Sequence, residues 1–253
     1  YNRYEEDIKN CAALNLGIFR FSISWSRIFP EGTGKVNQKG VDFYHKVIKA
    51  CKDNKVEPWI TLYHWDLPQA LEDKGGWTNR EILDWFNEYV ELCTKEYGNE
   101  VKNWMVMNEP AAFVGLGYML GYHAPGEKGV GKFLKAVHHS CLAMADGGRV
   151  IRKNVENANI GTTFSCSHVD PINHKKKHQK AVKKTDALVN RLFIEPCLGL
   201  GYPYDAFPEL KKIEKNFEGY FEGLMIPNHW KTTFPRPNAL FLLRENGSEK
   251  IIG

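Results

Sequence analysis

No apolar run among the 253 residues approaches the ~18 needed to cross a bilayer, so no segment reads as a membrane span. Disulfide and zinc frameworks are missing as well. The six cysteines (Cys11, Cys51, Cys93, Cys141, Cys166 and Cys197) are scattered, with no C-x-x-C pair and no histidine at zinc-type spacing. Most fall on apolar faces, where reduced buried thiols are expected, and that suits a reducing, cytoplasmic compartment. No G-x-G-x-x-G follows the first predicted strand, which leaves a dinucleotide fold without support. Charge of one sign is scarce too: 34 basic residues against 30 acidic ones give a net charge of only +4. The densest basic stretch, HKKKHQKAVKK (174–184), has no interleaved aromatic residues to stack bases. It reads as a solvated loop leading into a helix, and nucleic acid is not an expected partner. Ahead of Tyr1 there is neither a basic nor an apolar leader, and Tyr1 opens into helix-like sequence, so the chain is expected to begin within a fold.

What is present is alternation. Residues 3–14 place Tyr4, Ile8, Cys11 and Ala12 at helical spacing, and a strand is predicted over Ile18–Ser24, with Phe19, Phe21 and Ile23 on one face and Arg20, Ser22 and Ser24 on the other. An arginine in such a run must snorkel to an edge or face a carboxylate. Gly40–Asn54 reads as a helix, and Glu57–Leu62 as a strand that exits at Tyr63-His64-Trp65-Asp66. Thr78-Asn79-Arg80-Glu81 has the pattern of a capping box before a helical stripe that ends at Gly98. After a strand over 101–107, the glycine- and aromatic-rich stretch Ala111–Gly131 suits a long loop over a site mouth. A helix towards Asn154, a strand over 159–165 and a helix over 181–198 follow. His138 and His139 are adjacent, point to different helix faces and read as structural rather than as metal ligands.

Strands alternating with helices imply parallel pairing through right-handed crossovers, hence an α/β fold. Trp25, His64 with Trp65, and Asn108 with Glu109 all fall at the carboxyl ends of successive strands. In a (β/α)8 TIM barrel those ends converge on one face, and this is the expected architecture for a single domain over 1–253.

The sharpest stretch is VKNWMVMNEP (101–110). Its apolar run stops at Asn108-Glu109, and Pro110 cannot continue a helix interior. A carboxylate delivered at the exit of a buried strand sits where apolar walls can raise its pKa, as a general acid working near neutral pH requires. Next to Trp65, His64 would place a polar donor beside an aromatic plate, the pairing that a sugar's hydroxyl rim and C–H face call for.

WMVMNEP resembles the acid/base motif of the family 1 glycoside hydrolases, the β-glucosidase-type enzymes. FRFSISWSRIFPEGTGKVNQKGVDFYHKVI (19–48) and PWITLYHWDLPQAL (58–71) resemble two further segments of that family in the right order, and the resemblance extends to about residue 212. It implies a TIM barrel and a retaining hydrolase of β-glucosides or related β-glycosides, acting on a small-molecule glycoside or oligosaccharide. Glu109 would be the acid/base, Asn108 the ligand of the hydroxyl next to the reacting carbon, and His64 and Trp65 further sugar contacts. Arg20 would lie beside the nucleophile and keep it ionised. Such chemistry needs no metal or organic cofactor. The resemblance also implies a strand ahead of YNRYEEDI, so that the barrel here would be partial.

Glycoside hydrolysis needs a second carboxyl group. The candidate is Glu245, in ALFLLRENG, where Ala239–Leu243 reads as a short apolar strand. The stretch resembles the family's nucleophile motif, except that Arg244 stands where that motif has threonine. A Glu-Asn-Gly surface turn is the competing reading. The alternative for the whole chain is a catalytically impaired barrel fragment, or a carbohydrate-binding protein derived from the barrel.

Overall fold

The computed structural model describes residues 1–216, 244–245 and 248–249. In chain order the named elements are α1 (Tyr4–Ala13), β1 (Ile18–Ser22), α2 (Trp25–Ile28), α3 (Gln38–Asp53), β2 (Glu57–Tyr63), α4 (Gln69–Glu72), α5 (Ile82–Tyr97), β3 (Asn103–Asn108), α6 (Pro110–Val114), α7 (Val130–Asn154), β4 (Asn159–Thr163), α8 (Lys176–Asp186), α9 (Leu192–Cys197), β5 (Arg244–Glu245) and β6 (Ser248–Glu249). Strands β1 to β4 form one parallel sheet in sequence order, Ile18 facing Glu57, Trp59 facing Asn103 and Asn103 facing Asn159. The expected strand–helix alternation is therefore present as an arc of four adjacent parallel strands.

Period-two burial divides the arc into two faces. Ile60, Leu62, Trp104 and Val106 belong to the buried layer that also holds Phe86 and Val90 of α5 and Val137 and Ile151 of α7. Helix α7 approaches closely because Gly147 faces β3: a Cβ there would meet Val106 at 3.0 Å and Phe86 at 3.1 Å. Trp25, Trp77 and Trp104 are fully buried, and burial of a large apolar side chain contributes about 1.5–3 kcal/mol. Two polar devices tie the layers. Tyr89 of α5 donates its hydroxyl between Leu62 O at 2.8 Å and Ile23 O at 3.0 Å, fastening the exits of β2 and β1. At the opposite strand ends, Asn159 donates to Asn103 and Asn103 to Glu57, at 2.8 and 2.7 Å.

Several local expectations are corrected. Pro110 stays out of a helix interior, as expected, but starts a helix: it occupies the first turn of α6, where its missing N–H costs nothing. The stretch after it is helical before it is loop, running through α6 into a π-helical turn over Gly115–Met119. The capping box does not form, because Thr78 closes a 3-10 turn over Gly76–Thr78 and the N-cap of α5 is Glu81; Thr78 donates its hydroxyl to Gly75 O at 2.7 Å, and Asn79 Oδ1 receives the Glu81 N–H at 3.0 Å. The basic run is mostly helix α8 rather than a loop, and a π-helical turn over Ala187–Arg191 joins it to α9. His138 and His139 are structural as expected: both are buried, with Nδ1 placed 3.1 Å from Tyr202 Oη and 2.9 Å from Trp77 O. All six cysteines are free. Cys51, Cys93 and Cys141 are buried, whereas Cys166 is exposed. Among the described residues no helix is long and apolar enough to cross a membrane.

Candidate active site

The candidate residues gather at the carboxyl ends of β1, β2 and β3. In register, Arg20 lies beside Trp59, and Trp59 beside Asn103, so strict alternation puts Arg20, Thr61 and Met105 on one face. Continued to the end of β3, it would aim Met107 there and turn Asn108 away. The β3–β4 pairing prevents this: between Met105 and Asn108 the register shifts, three steps on β3 matching two on β4. This one-residue bulge brings Asn108 round to the face of Arg20. The Arg20 guanidinium then donates from Nη2 to Asn108 Oδ1 and from Nε to Thr61 Oγ1, the latter at 2.8 Å. With Oδ1 engaged by a cation, the Asn108 amide has one orientation, and Nδ2 is the group left to donate elsewhere.

Glu109 follows directly. Its N–H donates to Thr163 O at 2.8 Å, and its backbone is left-handed, φ 46° and ψ 64°, at the turn into α6. Such a conformation costs a non-glycine residue on the order of 1–3 kcal/mol and persists where its surroundings impose it. Trp65 is a second case, with φ 77°. Its indole N–H donates to Asn108 O at 2.8 Å, so this donor is already used and the ring is left as a half-buried plate with His64 and His123 around it, at centroid distances of 5.3 and 5.5 Å. His64 is exposed.

The charges on this face act on one another. Burial pulls the Arg20 guanidinium below its ordinary pKa, and the Glu109 carboxylate opposes that shift. Burial also lowers His64, Arg20 lowers it further, and Glu109 and Asp66 raise it, with the net effect of favouring the neutral imidazole. Glu109 thus stands within the field of both residues.

Arg20, His64, Trp65, Asn108 and Glu109 are brought together. Glu245 is not joined to them by the described residues. Its backbone lies in β5, which pairs antiparallel with β6 rather than with the four-stranded sheet, Arg244 facing Glu249 and Glu245 facing Ser248. The Glu245 side chain and the predicted strand Ala239–Leu243 lie outside the described residues.

Three supporting residues gave no sequence signal strong enough to single them out. Thr61 reads as strand filler, yet it receives the Arg20 Nε–H. Asp66 reads as turn sequence. Its Oδ2 accepts the Trp25 N–H at 3.0 Å, which caps the loop of β1 onto that of β2, and burial raises its pKa. Glu72, on α4, accepts from Tyr118 Oη at 2.6 Å, and that hydroxyl also receives the Trp77 N–H.

The described residues thus collect a carboxylic acid, a cation, an amide and an aromatic plate at the strand exits of a parallel α/β arc. The sequence matches the model of glycosyl hydrolase family 1 over residues 1–225, and the chain belongs to that family. It is 43% identical over 204 residues to beta-glucosidase A of Thermotoga maritima, covering 80% of this chain and 46% of that one. It is also 43% identical over 219 residues to beta-glucosidase A of Acetivibrio thermocellus, covering 86% and 49%. Among solved structures, a family 1 β-glucosidase from Thermotoga maritima superposes with a TM-score of 0.84 at 40% identity, covering 88% of this chain and 50% of the other. The same organism's β-glucosidase in complex with deoxynojirimycin gives 0.81 at 40% identity, covering 85% and 50%. The fold is accordingly the (β/α)8 barrel class, of which the described sheet is a four-stranded part, and the chain spans about half the length of these curated relatives.

Proposed function

We propose that the protein acts as a retaining glycoside hydrolase, cleaving β-glucosides or related β-glycosides by double displacement. The observation that carries this reading is the placement of Glu109: a half-buried carboxyl at the exit of β3, backbone-locked, in the field of Arg20 and beside an oriented Asn108 amide. The relatives named above are β-glucosidases, and one of them is solved with deoxynojirimycin bound, which fits a small sugar substrate here.

In the proposed reaction Glu109 protonates the glycosidic oxygen while Glu245 attacks the anomeric carbon. Glu109, now a base, then activates the water that releases the sugar. Asn108 Nδ2 donates to the hydroxyl next to the reacting carbon, a bond that strengthens as positive charge develops. His64 and the face of Trp65 bind the sugar further round. Retention calls for the two carboxyl groups to stand about 5 Å apart.

The test is Glu109→Gln. Removing a general acid costs about 10²–10⁴-fold, and that loss is expected on alkyl β-glucosides, while aryl glycosides with activated leaving groups retain far more of their rate. Equal loss on both would remove Glu109 from the role. A sugar-binding protein without turnover is the second reading, favoured by the separate β5–β6 pairing of Glu245; saturable binding of glucose-type ligands with no hydrolysis of any aryl β-glycoside would select it.

A further inference from the structure

We propose that Thr61 is a positioning residue of this site, and that its hydroxyl, rather than its bulk, holds the Arg20 guanidinium in the plane the reaction uses. The inference rests on the glycosidase reading above and extends it to a residue that touches no substrate.

Although Arg20 is exposed as a residue, its guanidinium donors turn onto fixed acceptors of the neighbouring strands. Arg20 has two, on two different strands. Nε donates to Thr61 Oγ1 on β2 at 2.8 Å, and Nη2 donates to Asn108 Oδ1 on β3. Because the fork is planar and rigid, two contacts on separate nitrogens fix its plane, whereas one contact leaves it free to swing. Thr61 is suited to supply the second. It is 1% exposed, and as a β-branched residue in a strand it is restricted at χ1, so its oxygen has a defined direction. The consequence runs along the chain of contacts: Thr61 sets Arg20, Arg20 sets the Asn108 amide, and Glu109 is the next residue, within the field of the same guanidinium. Trp65 Nε1 holds Asn108 from the backbone side at 2.8 Å, so Arg20 is the side-chain restraint on the amide.

Thr61→Val keeps the shape and removes the acceptor; Thr61→Ser keeps the acceptor. In the full chain, with an aryl β-glucoside as substrate, Thr61→Val is expected to lower kcat by about 10- to 100-fold, the range for removing a hydrogen bond to a charged group, with KM changed less than about threefold. Thr61→Ser is expected to recover kcat to within about threefold of the parent. In an Arg20→Lys background, which lacks the Nε donor, Thr61→Val is expected to change kcat by less than about twofold, because the contact is already gone. A like-sized loss in both backgrounds, or Thr61→Ser as impaired as Thr61→Val, would overturn the proposal by showing a general packing role. A readout independent of turnover separates this inference from the functional reading: the Arg20 Nε–H resonance in a ¹⁵N spectrum should be sharp and slow to exchange in the parent and Thr61→Ser proteins, and lost in Thr61→Val. If the parent hydrolyses no β-glycoside, the glycosidase reading falls, and this resonance decides the Thr61–Arg20 contact alone. An unchanged resonance in Thr61→Val sinks it.

Discussion

His139 offers a prediction whose size follows from its surroundings. The imidazole is 2% exposed and bound through Nδ1 to Trp77 O at 2.9 Å. Since a carbonyl only accepts, Nδ1 carries the proton of a neutral ring. Burial lowers the folded pKa to about 4; the Trp77 carbonyl resists, and Arg80 and Lys135 add to the lowering. In the unfolded chain a histidine titrates near 6.5. Between those two values the unfolded chain binds a proton that the fold refuses, so the stability associated with the neutral ring is present above pH ~6.5 and is lost as pH falls towards 4. At pH 5 the gap is about 1.5 pH units below the unfolded pKa, or about 2 kcal/mol at 1.36 kcal/mol per unit. Asparagine can supply the N–H to Trp77 O but does not titrate. Relative to the parent, His139→Asn should therefore gain about 2 kcal/mol between pH 7.5 and pH 5. Urea denaturation of both proteins at the two pH values measures it, and the difference between them cancels acids common to both. Adjacent His138, brought to about 3 by burial, then by His139 and Arg80, acts in the same direction in both proteins. If the stability difference stays constant across that pH range, His139 is not held neutral by the fold and the reasoning fails.

Two further substitutions test the frame around the site. Tyr118→Phe removes the hydroxyl that donates to Glu72 and receives the Trp77 N–H, and should cost about 1–3 kcal/mol in denaturant unfolding by stranding a half-buried carboxyl; a change below ~0.5 kcal/mol would mean water replaces it freely. Gly40→Ala should destabilise by roughly 1–3 kcal/mol as overpacking, because its Cβ would fall 2.1 Å from the Arg27 carbonyl oxygen, a backbone atom that cannot rotate away. A thermal midpoint equal to the parent's would show that α2 and α3 can part without cost.

Much of this architecture was legible because it rests on periodicity. The alternation of Phe19, Phe21 and Ile23 against Arg20 and Ser22 located β1, and helical stripes located α3, α5 and α7. What escaped was whatever depends on competition between neighbours or on counting across strands. Thr78 satisfied a capping pattern but was taken into a 3-10 turn over Gly76–Thr78, short of the α5 N-cap at Glu81. Pro110 was visible as a breaker, although the same fixed φ makes it a good first residue for α6. At the site, Asn108 and Glu109 stood out as polar residues ending an apolar run. The partner of Arg20 did not, since nothing local to residue 61 indicates that it will lie across from residue 20. The role of Glu245 likewise depends on contacts far away in sequence.

The bulge in β3 makes the reactive end of the molecule a matter of reading frame as well as of residue type. Straightening the bulge with the strand length unchanged would leave every functional side chain in the sequence and still present a thioether where an amide is needed. In homologues or engineered variants the amide–guanidinium pair is expected only where strand length and bulge together return the asparagine to the face of Arg20, which makes the spacing from Asn103 to Asn108 as informative a signature as the motif itself.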